Sequence, residues 1–278
     1  YGFAAMFAMV GVFALGWVDK FVLAWLAGSR AVGLYQTAAQ LSAAAPVLVL
    51  GALAAIVLPA AAHSMALGDD AHKRAILIAS TKWAFFLVLP FVAVLMAAPG
   101  DFITSFYGGR YAEAAPVLRI LALGQLANGA TGLCGALLTL WGGQRLWAVL
   151  SLGAILFTVV ADLFAIPRWS LMGAAVVTAG VNWLLYSAGI MLVAKKAGGL
   201  PYGTQFLVGP LAALVPAFAT WTFSALRPTL HVGAEWILVV AAASGACYLG
   251  IVGLFARGNH DVLFWNWLVG TVRDERGP

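Results

Sequence analysis

Apolar runs, each about 20 residues long and so about as long as a bilayer is thick, succeed one another through almost the whole chain. They are rich in Ala, Leu and Val, and polar breaks separate them. Of the 278 residues 63% are hydrophobic and 9% charged, with a mean hydropathy of +0.98. A soluble domain carries about 25% charged residues, so this composition cannot build a water-facing surface. Inside a bilayer only helices or closed barrels satisfy every backbone N–H and C=O. A barrel would read as alternating segments of about 10 residues, and the runs here do not alternate. The fold class is therefore an all-α polytopic membrane protein.

The runs predict eight spans, near 3–27, 35–60, 76–98, 115–140, 146–166, 171–194, 206–226 and 234–256. The breaks between them carry the charge. Placing the first residue in the cytoplasm puts Lys73, Arg74, Arg145, Lys195, Lys196, Arg257, Arg273 and Arg276 inside and only Arg30, Arg110, Arg168 and Arg227 outside. The positive-inside rule then places both ends of the chain in the cytoplasm. Trp141, Trp147, Trp169, Trp221 and Trp236 stand at or beside span ends, where interfacial anchoring is expected. The tail, 257–278, is expected on the cytoplasmic side. Within it Val262–Val269 is too short to cross and reads as an interfacial helix anchored by Phe264, Trp265 and Trp267. The half-apolar segment Pro99–Glu113 is expected to fold against the membrane surface. The chain starts with Tyr and enters an apolar run with no charged leader, so an upstream part is expected to be missing.

Charged groups inside a span are costly and mark functional sites by default. Asp19 and Lys20 stand together inside the first span. They form either a self-neutralising local pair or, since helix neighbours point about 100° apart, two groups with partners on other helices. Lys82, in the third span, either snorkels to the headgroups or contacts an anionic substrate. Arg119 opens the fourth span and is either interfacial or turned toward a cavity. Asp162 shares a helical face with Ser151 and Thr158. Two further stripes carry amides: Gln125, Asn128, Gly132, Gly135 and Thr139 in the fourth span, and Thr178, Asn182, Tyr186 and Gly189 in the sixth. Such stripes mean close helix packing or the wall of a cavity. Prolines 46, 59 and 90 are expected to bend their helices. Cys134 and Cys247 lie in separate runs and read as packed thiols. His, Cys, Asp and Glu show no metal-ligand spacing, and no nucleophile elbow or phosphate loop is present. The expectation is a protein without catalytic residues, metal or cofactor. The net charge of +5 reports loop charges, with no basis for nucleic-acid binding.

The order of several motifs resembles the C-terminal part of a polysaccharide or O-antigen flippase of the multidrug/oligosaccharidyl-lipid/polysaccharide exporter superfamily. A membrane Asp (Asp19) precedes a turn and Gly33-x-Tyr35-x-x-Ala38, and a span ends in Leu58-Pro59. A span with mid-membrane Pro90 follows, then Phe106-Tyr107-Gly108, Tyr111, Ala114 and Leu118. A Gly-Gln-Arg turn and Met172-Gly173-Ala174-Ala175 come later. The resemblance implies 12 or 14 spans in two lobes around a central cavity, with this chain as the last eight and an N-terminal lobe missing. It implies a polyprenyl-pyrophosphate-linked oligosaccharide as substrate, moved across the cytoplasmic membrane by rocking of the lobes. Membrane lipids and glycan-assembly proteins would be further partners. Asp19 matches the acidic position of the family. Lys20, Lys82 and Arg119 are this chain's own possible cations. Lipid II flippase, drug or cation antiporter, membrane glycan polymerase or ligase, and transport-free scaffold are the alternatives. The last soluble-side requirement of a polymerase, a large outer loop, is not met by the segment 99–114.

Overall fold

A computed structural model describes residues 2–66, 70–230, 233 and 235–255, with side chains for 16–65, 71–227, 233 and 235–254. The tail 257–278, including Trp265 and Trp267 and the interfacial helix expected at Val262–Val269, lies outside the described residues. Every regular element described is helical. The helices are α1 (Gly2–Ala66), α2 (Asp70–Ala97), α3 (Pro99–Tyr107), α4 (Ala115–Thr131), α5 (Cys134–Leu138), α6 (Gln144–Lys196), α7 (Val208–Leu230) and α8 (Trp236–Phe255). A 3₁₀ turn (Gly109–Ala114) joins α3 to α4, a π turn (Thr139–Gly143) joins α5 to α6, and a second 3₁₀ turn (Thr204–Leu207) precedes α7. Five stretches are long and apolar enough to cross a membrane: Gly16–Met65, Ala71–Ala97, Cys134–Lys196, Thr204–Arg227 and Trp236–Leu254. The chain is a helical, multi-pass membrane protein.

Two of the longest helices are each folded in two. In α1 the backbone leaves helical geometry at Gly28, with φ 81° and ψ 174°, a conformation open to glycine and costly for other residues. Tyr35 reaches back 16 residues to hydrogen-bond Asp19 at 2.5 Å, whereas an unbroken helix would hold them about 24 Å apart. The limbs 2–27 and 29–66 therefore form a hairpin. In α6 the break is at Ser170, with φ 47° and ψ −126°. Here Gly173 packs so closely on the preceding limb that an added Cβ would lie 2.5 Å from the Ala165 carbonyl oxygen. Prolines 46, 59 and 90 keep helical dihedrals, so the folding-over occurs at Gly28 and Ser170 and not at proline.

The expected fourth span is not one helix. It stops at Thr131, turns through Gly132 with φ +59° and resumes as α5. The turn is possible because Gly132 sits against the Thr81 backbone, where a Cβ would lie 2.9 Å from Cα. The polar stripe expected along this span is thereby split. Gly135, beyond the turn, packs against the Trp147 ring.

Polar ties gather in two layers. In one, Arg227 pairs with Asp101 at 3.0 Å, Ser224 donates to the same carboxylate at 2.5 Å, and Arg30 pairs with Glu113 at 3.2 Å. In the other, Arg74 donates to the Gly198 carbonyl, Lys196 to Trp141 O at 2.8 Å and Tyr202 to Ala130 O at 3.0 Å. Between the layers the surface is apolar, as lipid contact requires. Val149, Leu156, Phe164, Phe218 and Leu254 are among its exposed side chains. Trp169, Trp221 and Trp236 are exposed, as membrane anchors would be, but Trp141 and Trp147 are buried in the core. They pack with Cys134, Leu137 and Leu185, so their position at a span end reflects core filling. Cys134 and Cys247 are both free, the first buried and the second exposed. In Pro99–Glu113, Phe102 and Ile103 are buried while Phe106 faces outward.

The two ion pairs differ in what they hold. Asp101 is nearly buried and ties α3 to α7, while both members of the Arg30–Glu113 pair are largely exposed. Arg227→Ala leaves a desolvated carboxylate with the Ser224 hydroxyl but without its countercharge, and is expected to cost about 1–3 kcal/mol. Arg30→Ala is expected to stay below about 1 kcal/mol. Thermal midpoints of the purified variants in detergent check this, and equal shifts would contradict it.

Candidate functional site

Hydroxyl groups inside spans mostly satisfy themselves. Ser42, Ser64, Ser80, Thr131, Thr139, Ser151, Thr158 and Ser244 all bond carbonyls three or four residues back on their own helix. Such back-bonding hides the hydroxyl and leaves few polar groups for other work. Of those that remain, the Tyr35 and Thr178 hydroxyls meet at one place, while Thr81, Ser105, Thr220 and Tyr248 are buried elsewhere.

Asp19, on the first limb of α1, is buried. Tyr35 from the second limb donates to its Oδ2 at 2.5 Å, and Thr178 from the second limb of α6 donates to the same oxygen at 3.3 Å. The Tyr35 and Thr178 hydroxyls are themselves 3.0 Å apart. Lys20 donates its backbone N–H to Asp19 Oδ1 at 2.8 Å, but its ammonium does not pair with that carboxylate. Its ammonium turns back along its own helix to the Gly16 carbonyl and lies 5.2 Å from the Trp17 ring. The local-pair alternative is thus not what the hairpin builds, because closing it turns Asp19 inward and leaves Lys20 beside Trp17.

Beside Asp19 opens a cavity of about 250 Å³. Asp19, Lys20 and Tyr35 line it from α1, Gln125 and Asn128 from α4, and Thr158, Thr178, Asn182 and Tyr186 from α6. The Gln125, Asn128 and Asn182 side chains make no hydrogen bond among the described residues. Their positions one turn apart on α4, and one turn beyond Thr178 on α6, put them on the cavity faces of both helices.

Asp162 lies one turn beyond Thr158 on the first limb of α6 and is fully buried. Neither of its carboxyl oxygens has a hydrogen-bond partner among the described residues. It stands on the same face of that limb as Thr158, which lines the cavity. No cation pairs with either carboxylate among the described residues.

The stretch that carries Asp19, Lys20 and Tyr35 also falls within a family match. Residues 1–116 match a family of polysaccharide biosynthesis proteins. The resemblance drawn from the motifs is borne out at that level. The chain is also similar to an uncharacterized membrane protein of Methanocaldococcus jannaschii, 24% identical over 182 residues, which is 64% of this chain and 35% of the relative. The aligned part thus spans about a third of that relative's length. No solved structure matches the chain.

The remaining candidates stand apart from the cavity. Lys82 is 1% exposed, its ammonium 5.6 Å from the Trp83 ring. That burial rules out snorkelling. Arg119 is exposed in the layer of Asp101 and Arg227, and its Nε donates to Met96 O at 3.2 Å. It borders a separate pocket with Asp101 and Ser224. Of the eight candidate residues, Asp19, Lys20, Gln125, Asn128 and Asn182 share the cavity, Asp162 lies behind it, and Lys82 and Arg119 lie elsewhere. Tyr35 was visible in the sequence only as part of a motif. What identifies it as a site residue is the hairpin at Gly28, which brings it onto Asp19.

Proposed function

We propose that this chain is the second lobe of a transporter that moves a polyprenyl-pyrophosphate-linked oligosaccharide from the inner to the outer leaflet of the bacterial cytoplasmic membrane. Eight crossings with both ends in the cytoplasm follow if each limb of α1 and α6 crosses once and α4 and α5 cross together. The observation that carries the reading is the polar cavity at membrane depth. Three carboxamides without partners among the described residues offer donors and acceptors of the kind that sugar hydroxyls need, and Lys20 at the edge offers a cation to pyrophosphate. The family match over residues 1–116 supports the same reading.

Asp19 and Asp162 supply the coupling. Two buried carboxylates without a cationic partner among the described residues are costly, and a bound monovalent cation or proton offsets that cost. Loading and unloading this site would favour different orientations of the lobe, the differential interaction that any coupled conformational change requires.

Cells lacking the full-length protein are expected to hold lipid-linked glycan on the cytoplasmic leaflet, read by accessibility to an impermeant lectin or glycosidase. An unchanged leaflet distribution would overturn the proposal. The triple variant Q125A/N128A/N182A is expected to slow translocation about tenfold or more at wild-type abundance, since each lost hydrogen bond to substrate is worth about 0.5–1.5 kcal/mol. Unaltered translocation in that variant would remove the carboxamides from substrate contact.

A further inference from the structure

Tyr35 has no role in the transport reading so far, yet it is fully buried and holds the shortest hydrogen bond to the central carboxylate. Its hydroxyl occupies an Asp19 lone pair on the side facing α6. Within 3.0 Å it has a second partner, the Thr178 hydroxyl. A hydroxyl with one proton can donate to only one acceptor at a time. Donation to Asp19 is charge-assisted and the stronger choice while that carboxylate carries its charge. Donation to Thr178 is the alternative once a cation or proton has taken the charge.

We propose that Tyr35 is a positioning residue that competes with the coupling cation for Asp19, releasing the carboxylate onto the cation by turning its hydroxyl to Thr178. The inference rests on the coupling role given above to Asp19. Tyr35 stands on the second limb of α1, Asp19 on the first and Thr178 on α6. The exchange therefore moves one hydrogen bond from a link within the α1 hairpin to a link between α1 and α6. That is a local change able to bias helix positions. The charged and titratable groups around the pair are Lys20 from α1 and Asp162 and Tyr186 from α6, while α4 contributes only carboxamides.

The test is cation-dependent thermal stabilisation of the full-length protein in detergent, titrated with Na⁺ at fixed pH and with protons in Na⁺-free buffer. A ligand that binds the native state raises the midpoint in proportion to its occupancy. Removing a charge-assisted competitor in Tyr35→Phe is expected to lower the half-saturating cation concentration about tenfold. Thr178→Ala takes away the alternative acceptor together with the long 3.3 Å donor to Asp19; that donor is the weaker of the two by its length, so the net expectation is a higher half-saturating concentration. In Asp19→Asn the cation response is lost, and adding Tyr35→Phe changes nothing further in it. A merely structural Tyr35 would lower the midpoint without moving half-saturation, and that result overturns the inference while leaving the coupling role of Asp19 standing. A wild-type protein that responds to neither cation overturns both. If Tyr35→Phe does not accumulate, Thr178→Ala decides alone: unchanged or lower half-saturation overturns the competition.

Discussion

Asp19→Asn is expected to lower translocation of lipid-linked glycan about ten- to a hundredfold, the range that replacing a charged partner by a neutral one gives. Membrane abundance should stay near wild type. Asn keeps the shape of the side chain and can still accept the Tyr35 hydroxyl at its amide oxygen, so the hairpin retains its link at 2.5 Å in the parent structure. What Asn cannot do is carry the negative charge beside Asp162. Leaflet distribution of the glycan, normalised to the amount of protein in the membrane, checks the expectation. Normal export would take Asp19 out of the mechanism. A loss of abundance in step with export would show that the carboxylate serves only to close the hairpin. Asp162→Asn offers the comparison. It also removes a buried charge but breaks no hydrogen bond among the described residues, so it is expected to affect coupling without lowering stability.

The second large effect is at Gly173. A Cβ there would stand 2.5 Å from the Ala165 carbonyl oxygen and 2.7 Å from its carbon. Those are backbone atoms of a helix and cannot swing away as a flexible side chain would. Gly173→Val is expected to destabilise by about 3 kcal/mol, at the upper end of overpacking costs, and to lower steady-state abundance several-fold. Gly180 on the same limb is the control. A Cβ there meets nothing within 4 Å, so Gly180→Ala is expected to be neutral or stabilising by up to about 1 kcal/mol. Thermal midpoints and membrane abundance of the two variants check the pair. Equal behaviour would mean that the limbs of α6 do not pack as closely as the hairpin requires.

Much of the architecture was legible because lipid imposes it. Apolar runs of span length and charge confined to the breaks leave helices as the only solution, and Gly28 and the Met172–Ala175 motif mark places where the chain turns. Where the sequence misled, the cause was depth. Trp141 and Trp147 lie where interfacial tryptophans belong, yet the small residues Gly135 and Gly189 open a pocket that accepts the Trp147 ring. Nothing in Trp itself distinguishes a headgroup neighbour from such a pocket. For Lys82 the sequence left snorkelling and substrate contact open, and its burial depends on packing that no periodicity reports. The candidate site was half visible. Amide stripes on the fourth and sixth spans pointed to Gln125, Asn128 and Asn182, but stripes alone could not separate packing from a cavity wall. The partnership of Tyr35 with Asp19 was out of reach, since it exists only because the chain reverses at Gly28. The ion pair of Asp101 with Arg227 joins residues 126 positions apart, and either charge read alone looks like an ordinary loop residue.

The separation of Asp19 from Lys20 also has an electrical consequence. Had the neighbours neutralised each other, the hairpin would be blind to the voltage across the membrane. As built, the carboxylates face inward with no cation paired to them among the described residues, and in the proposed cycle the charge that neutralises them is the coupling ion. Each unit charge carried through a membrane field is worth about 2.3 kcal/mol per 100 mV. A cation that loads on one side of this lobe and leaves on the other draws on that voltage as well as on its own concentration gradient. Collapsing the potential with an ionophore while holding the gradient fixed should therefore slow the cycle.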